Sequence, residues 1–336
     1  MPQPETTTRS STATPTTSTL GARQSSIESR NRRRRRRWDA LLRHSPAQPL
    51  FRAWAAHRLA VLAYHEIEDP QAFAAQMDRL LRRATPVSLA DVRQAAAEGR
   101  PLPPRSVLVT FDDGDRSVVT EGLPVLTKRR IPSVAFVITE LIDGDQPFWW
   151  REAHFLARHG GTARSLPPGR PPEAVVRRLK TLPDPDRRRS LAEMRVSASR
   201  PAPRQPQLSP EDLLRLRDAG VRIGNHTLSH PCLDRCDGPT VRTEVAAAHL
   251  ALTRWLGEAP TAFAYPNGNF DARTCGVLRE LGYRLGFLFD HRHEALLPAD
   301  PLRISRLRVN ASTSPHRFDT ILSGLHPAVH RLRGGS

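Results

Sequence analysis

Two pairs of residues in this chain have the types and spacing to do chemistry. Asp112 and Asp113 adjoin at the end of an apolar, β-branched run at 107–111 and are followed by Gly114. His226 and His230 stand four apart after a second short run at 221–225. Acids at a strand-to-loop corner are often only a solvated turn, and a lone histidine is more often a core residue than a ligand. Taken together the two pairs say more. Histidines at i and i+4 share one face of a helical turn, and with one aspartate they offer two neutral nitrogens and one anionic oxygen. That set leaves coordination positions open for water and substrate, and it leaves the second aspartate free to act as a base. Adjacent strand residues point to opposite faces, so both acids reach one site only if the chain turns there, as Gly114 permits.

The residues around these pairs carry a resemblance. TFDDG at 110–114 and HTLSH at 226–230 resemble the first two signature motifs of the polysaccharide deacetylase family, the NodB-homology group that includes family 4 carbohydrate esterases. Further agreement comes from LAYHE at 62–66, PSVAFV at 132–137, FWW at 148–150, FAYPNG at 263–268 and LRI at 302–304, so the likeness runs over roughly 58–326. It implies that Asp113, His226 and His230 bind a divalent metal, commonly Zn2+, and that Asp112 is the general base. It also implies that the backbone N–H of Asn267, after the proline of the third motif, faces the oxyanion. The turn at 265–268 suits that role on its own chemistry, because Pro266 fixes the approach and Gly268 lets backbone come close to a substrate.

The chain departs from the family pattern twice. Many members place an arginine that orients the base two residues before this proline, and here the position is Ala264. The general acid is the other departure: His316 and His326 stand near the C-terminal end, and His65 on the first strand competes with them. The implied activity is hydrolysis of N-acetyl groups on amino sugars of a polysaccharide, oligosaccharide or lipid-linked glycan. The alternatives are an O-acetyl carbohydrate esterase using the same residues, a ferrous oxygenase with two histidines and a carboxylate, and a non-enzymatic glycan- or nucleic-acid-binding protein.

These side chains need a scaffold that gathers strand ends. Seven strand-like segments, at 59–64, 107–111, 134–139, 221–225, 262–265, 285–289 and 304–309, alternate with helical spacing in most gaps. Helices are expected over 70–83 and 88–98, the second opened by a Ser88 cap with Asp91 three residues on. The pattern predicts an α/β protein with parallel strands and a site at their C-terminal ends. The family resemblance narrows this to a distorted, incomplete β/α barrel. An insertion over about 144–210 holds two basic helical segments, at 173–182 and 186–196, and the pair Trp149 and Trp150. Paired tryptophans stack well on sugar rings, but the reading preferred for both is a packing anchor.

Composition bounds the rest. The 336 residues carry a net charge of +17 and only 38% hydrophobic residues, which fits one catalytic domain over 58–326 and a disordered Thr/Ser/Pro- and Arg-rich tail over 1–50. In the tail Arg32, Arg33, Arg34, Arg35, Arg36 and Arg37 follow one another, a run suited to weak contact with anionic membrane or nucleic acid. No apolar run is long enough to span a membrane, and the stretch after the arginines breaks off too soon for an export signal. The expected location is therefore cytoplasmic or membrane-peripheral, with an acetylated carbohydrate as substrate and no obligate protein partner. Cys232 and Cys236 suggest a closed zinc site with the two histidines, a reading set aside because it leaves Asp112 and Asp113 unexplained. Three cysteines in all do not suggest a disulfide framework.

Overall fold

The computed structural model describes residues 39–332, so the arginine run and most of the expected tail lie outside the described residues. Its centre is a parallel sheet of β1 (Arg58–Tyr64), β3 (Ser106–Phe111), β4 (Ser133–Val137), β5 (Val221–Asn225), β6 (Ala262–Ala264) and β7 (Leu285–Phe287) in the order β7-β6-β5-β4-β3-β1. The seventh parallel strand, β9 (Leu307–Arg308), pairs with β1 through Leu62↔Leu307, while Ile304 just before it bridges to Phe287 of β7. One short segment thus touches both edges of an otherwise open half-barrel. Two further strands were not expected: β2 (Thr85–Pro86) beside β3, and β8 (Glu294–Ala295), antiparallel to β1.

Side-chain alternation explains why the central strands read as continuous apolar runs. In β1, Leu59 and Val61 join the cluster inside the barrel with Leu108, Val134, Phe136 and Phe287, whereas Ala60, Leu62 and Tyr64 join the cluster beneath the outer helices. Both faces are covered, so neither face selects polar residues. The parity places Leu108, Thr110 and then Asp112 on the interior side.

The helices form where caps and periodicity call for them. Asp69 accepts from the Gln71 and Ala72 amides to open Pro70–Leu81, and Ser88 with Asp91 closes a full capping box on Leu89–Glu98. The insertion folds as helices Trp149–Arg158, Pro172–Leu179 and Asp184–Ser197 around its own small core of Ala153, Leu156, Leu179 and Met194. Helical structure lies nearer the N-terminus than the sequence suggests, within the stretch expected to be disordered up to residue 50. Residues 39–43 and Gln48–Ala55 are helical, and buried Asp39 accepts hydrogen bonds from Arg317 Nε and Ser314 Oγ. Among the described residues no helix is long and apolar enough to cross a membrane.

Candidate active site

The C-terminal strand ends gather the expected residues into one cleft of about 580 Å³, lined by His65, Asp112, Asp113, His226, His230 and Asn267 among others. Asp112 still belongs to the sheet, its N–H donating to the Tyr64 carbonyl. The turn comes at Asp113 itself, at φ 71°, and continues at Gly114, at φ 79°. This is how neighbouring acids share a site: a left-handed residue swings the second carboxylate back over the strand end. A side chain at Gly114 would add both strain at that positive φ and crowding, its Cβ meeting Val137 Cγ1 at 3.1 Å. Thr227, His230 and Asn267 also have positive φ, and such backbone strain in non-glycine residues gathers where surrounding contacts over-determine it.

Asp113, His226 and His230 bring their ligand atoms within 4.8 Å of one another, all three residues being buried. His226 donates from Nδ1 to the Ala264 carbonyl at 2.8 Å, so Nε2 is the atom turned to Asp113, a donor to the carboxylate when protonated and a ligand atom when not. The Nε2 atoms of His226 and His230 lie 3.4 and 3.6 Å from Asp113 Oδ1. Two ligands about 2.0–2.1 Å from a tetrahedral zinc ion stand roughly 3.3–3.4 Å apart. The donor set and its spacing therefore fit a divalent ion. Burial alone would raise the Asp113 carboxyl, but the hydrogen bond from His226 and the potential of His65 and His230 outweigh it and hold it well below the usual range. Burial, then the neighbouring His226, pushes His230 down to about 3, which keeps its ring neutral, the state a ligand needs.

The histidine loop is fixed by groups that the sequence did not single out. Glu244 accepts from the Ser229 N–H and Oγ at 2.8 and 2.7 Å. Thr227 Oγ1 accepts from the His230 N–H at 2.9 Å. The larger omission is Arg306. It is fully buried inside the barrel and grips Asp112 with two parallel bonds, Nη1 to Oδ1 at 2.6 Å and Nη2 to Oδ2 at 2.7 Å. Burial would raise the Asp112 carboxyl, and Arg306 overrides it, holding the group ionised. An arginine thus grips Asp112 although the third motif has Ala264 in place of one, and it comes from the segment between β7 and β9.

The candidate acids separate. His65 lines the cleft, its ring edge-on to Phe289. His316 is instead bonded to Arg43 at 2.9 Å, and His326 to His291 at 3.0 Å, so neither lines it. In the turn at 265–268 the Gly268 and Asn269 amides are spent on the Tyr265 and Pro266 carbonyls, whereas the Asn267 N–H is not. The two tryptophans divide as well. Trp149 is buried, donates to the His230 carbonyl and lies under Arg187, as a packing anchor should. Trp150 differs from that expectation: it stacks on Phe148, lies 4.8 Å from the His230 ring and lines the cleft. Cys232 and Cys236 do not join the histidines. Burial pushes the Cys236 thiol up to about 12, and among the described residues the aspartate–histidine trio is the single cluster placed to hold a metal.

Residues 99–286 match the family model described as polysaccharide deacetylase. The chain belongs to the polysaccharide deacetylase family. The matched span takes in every proposed ligand, Asp112 and Asn267, and leaves out His65 and Arg306. The poly-beta-1,6-N-acetyl-D-glucosamine N-deacetylases of Escherichia coli strain K12 and O157:H7 are each 30% identical over 132 residues, 31% of this chain and 20% of theirs. The alignment thus spans only about a fifth of these relatives' length. The deacetylase fold is shared with IcaB from Ammonifex degensii, with a TM-score of 0.56 at 22% identity over 80% of this chain and 96% of that one. It is shared also with the deacetylase PplD of Streptococcus pyogenes, with a TM-score of 0.55 at 18% identity over 79% and 98%.

Proposed function

We propose that this deacetylase hydrolyses N-acetyl groups on amino sugars of a glycan, with a divalent ion, zinc by its ligand set, at Asp113, His226 and His230. The observation that carries the reading is one cleft holding two aspartates in different states of engagement: Asp113 among histidines and Asp112 clamped by Arg306. When bound, the ion supplies Lewis acidity and lowers the pKa of water towards neutrality. The residues of the chain do the rest. Asp112, kept ionised and fixed in orientation, takes a proton from the attacking water. The Asn267 N–H meets the acetyl oxygen as negative charge grows on it. A protonated His65 gives its proton to the departing amine, Asp112 releases the water's proton to solvent with the acetate product, and Trp150 offers a flat apolar face to the sugar.

The test is acetate release from N-acetylglucosamine oligomers, β-1,6-linked ones included because the relatives are named for that polymer, with and without added zinc. Release that is unaffected by chelation, or that survives His226→Ala with His230→Ala at full rate, would overturn the metal assignment. O-acetylated sugars run alongside separate esterase from amidase activity. Residues 32–37 are proposed to give a salt-sensitive attachment to anionic surfaces at a cytoplasmic membrane face. Removing residues 1–38 should abolish sedimentation with anionic vesicles and leave turnover of a soluble substrate unchanged.

A further inference from the structure

We infer that the cleft contains an anion-binding subsite, built from Lys180 and Arg177 with Arg308 beside them, and that the substrate is an N-acetylamino sugar bearing, or linked through, a phosphate or carboxylate. This rests on the deacetylase reading and narrows it. The charges lining the cleft motivate it. The two carboxylates there are Asp112, neutralised by Arg306, and Asp113, enclosed by two histidines. Against them stand three cations from two elements: Arg177, one turn before Lys180 at the end of helix Pro172–Leu179, and Arg308 of β9. Acids just outside are engaged elsewhere, Glu66 and Asp115 by Arg151 and Asp234 by Asn269 and Arg235.

Lys180 is the sharpest of the three. The full sequence has 51 Lys and Arg residues, and only Lys128 and Lys180 are lysine. Its Nζ donates to Asn267 Oδ1 at 2.6 Å, a neutral amide, with no carboxylate in hydrogen-bond contact. Burial lowers its pKa, with Asp113 a weaker opposing influence. An ammonium drawn out of water beside a neutral acceptor is costly unless an anion arrives to meet it. Arg308 is directed by its bonds to the Phe289 carbonyl. The pattern continues past the cleft. Trp150 and Arg177 also border a shallow groove over the insertion, where Phe155, Arg158 and Arg200 supply apolar and cationic surface and Glu173 the one carboxylate. A neutral N-acetylglucosamine polymer offers these cations hydroxyl and carbonyl acceptors but no compensating charge, and its deacetylated product, being cationic, is repelled by them.

The experiment uses the full zinc-loaded chain and three tetramers: neutral N-acetylglucosamine, the same sugar chain with a reducing-end phosphate, and one alternating with a lactyl-carboxylate sugar. At low salt kcat/KM for the phosphate or the carboxylate form should exceed that of the neutral form by about tenfold or more, and the advantage should shrink with added salt. Whichever anionic arm shows the gain names the source of the charge. Lys180→Gln combined with Arg177→Gln should bring the ratio close to one, while Lys180→Arg, which keeps the charge, should retain part of it. Equal kcat/KM on neutral and anionic tetramers, or a ratio untouched by the double substitution, would overturn the subsite and leave the hydrolytic reading standing. No acetate from any of the three would overturn both.

Discussion

The two ends of this sheet use the same residue types for opposite purposes. At the C-terminal end one arginine, Arg306, holds one aspartate, Asp112, in a bidentate pair whose carboxylate still borders a cleft. At the N-terminal end Asp319, equally buried, is shared by Arg43, Arg79 and Arg83. A small cavity of about 240 Å³ there is lined by Arg52, Arg58, Arg82, Arg83 and Arg105 as well. Asp319 borders this cavity too, but its oxygens are taken by three guanidiniums, two from helix Pro70–Leu81 and the turn that ends it and one from the segment before β1, so it is a brace tying helix Pro315–Leu322 to both. The lesson is that burial and pairing do not separate a working carboxylate from a structural one. What separates them is the company in the cavity each one borders: Asp113 and three histidines beside Asp112, only arginines as further ionisable groups beside Asp319.

Four substitutions or conditions would break or sharpen this contrast. Asp112→Asn should lower acetate release by at least about 100-fold while zinc stoichiometry is preserved, since it removes a base and not a ligand. Equal loss of zinc would show that the two aspartates share the ion. Arg306→Gln should cost about 3–5 kcal/mol in chemical denaturation, because it strands a buried carboxylate. It should also move the acidic limb of the pH–rate profile upward: with the guanidinium gone burial raises the Asp112 pKa, so the ionised base is lost at a higher pH. An unshifted limb would detach Arg306 from the base.

Asp319→Asn should cost less, about 1–3 kcal/mol, because its three arginines are partly exposed and can be hydrated. Here kcat on a neutral oligomer should be unchanged below the melting transition, and a fall in kcat would erase the distinction between the two ends. The smallest effect concerns His291, His293 and His326, packed between the two ends. Burial pushes them down to about 3, 4 and 4, below the roughly 6.5 of an unfolded histidine. The unfolded chain therefore binds more protons between about pH 6.5 and 3, so this stability is complete above that window and is lost as pH falls through it. Melting temperature against pH should show the slope, and His326→Asn should flatten it.

Most of the scaffold could be read from the chain because its physics is local. Strands buried on both faces are apolar at every position, and caps such as Ser88 with Asp91 act over three residues. That Asp113, His226 and His230 belong together was legible for a similar reason: the two histidines share one loop, and Asp113 follows closely on an unmistakable strand. What stayed hidden is long-range. Arg306 meets Asp112 across 194 positions, and nothing in the stretch 304–309 says that its first arginine turns inward. Glu244 lies within helix Gly238–Leu256, where an acid ordinarily reads as solvated. Trp149 and Trp150 are adjacent, and only the direction in which Trp149–Arg158 starts decides which one faces the sugar site.

The reach of Arg306 bears on how this protein should be cut for expression. A fragment trimmed to residues 99–286 would keep Asp112, Asp113, His226 and His230, yet it would lose β1 with His65, β9 and the Arg306 guanidinium that grips Asp112. Its β3 would present an unpaired row of amides and carbonyls where five residues of β1 now pair, an edge prone to self-association. Such a fragment would look intact by motif and behave as an insoluble, silent protein. A working unit has to run from Asp39, which with Arg43 holds helix Pro315–Leu322 in place, through that helix.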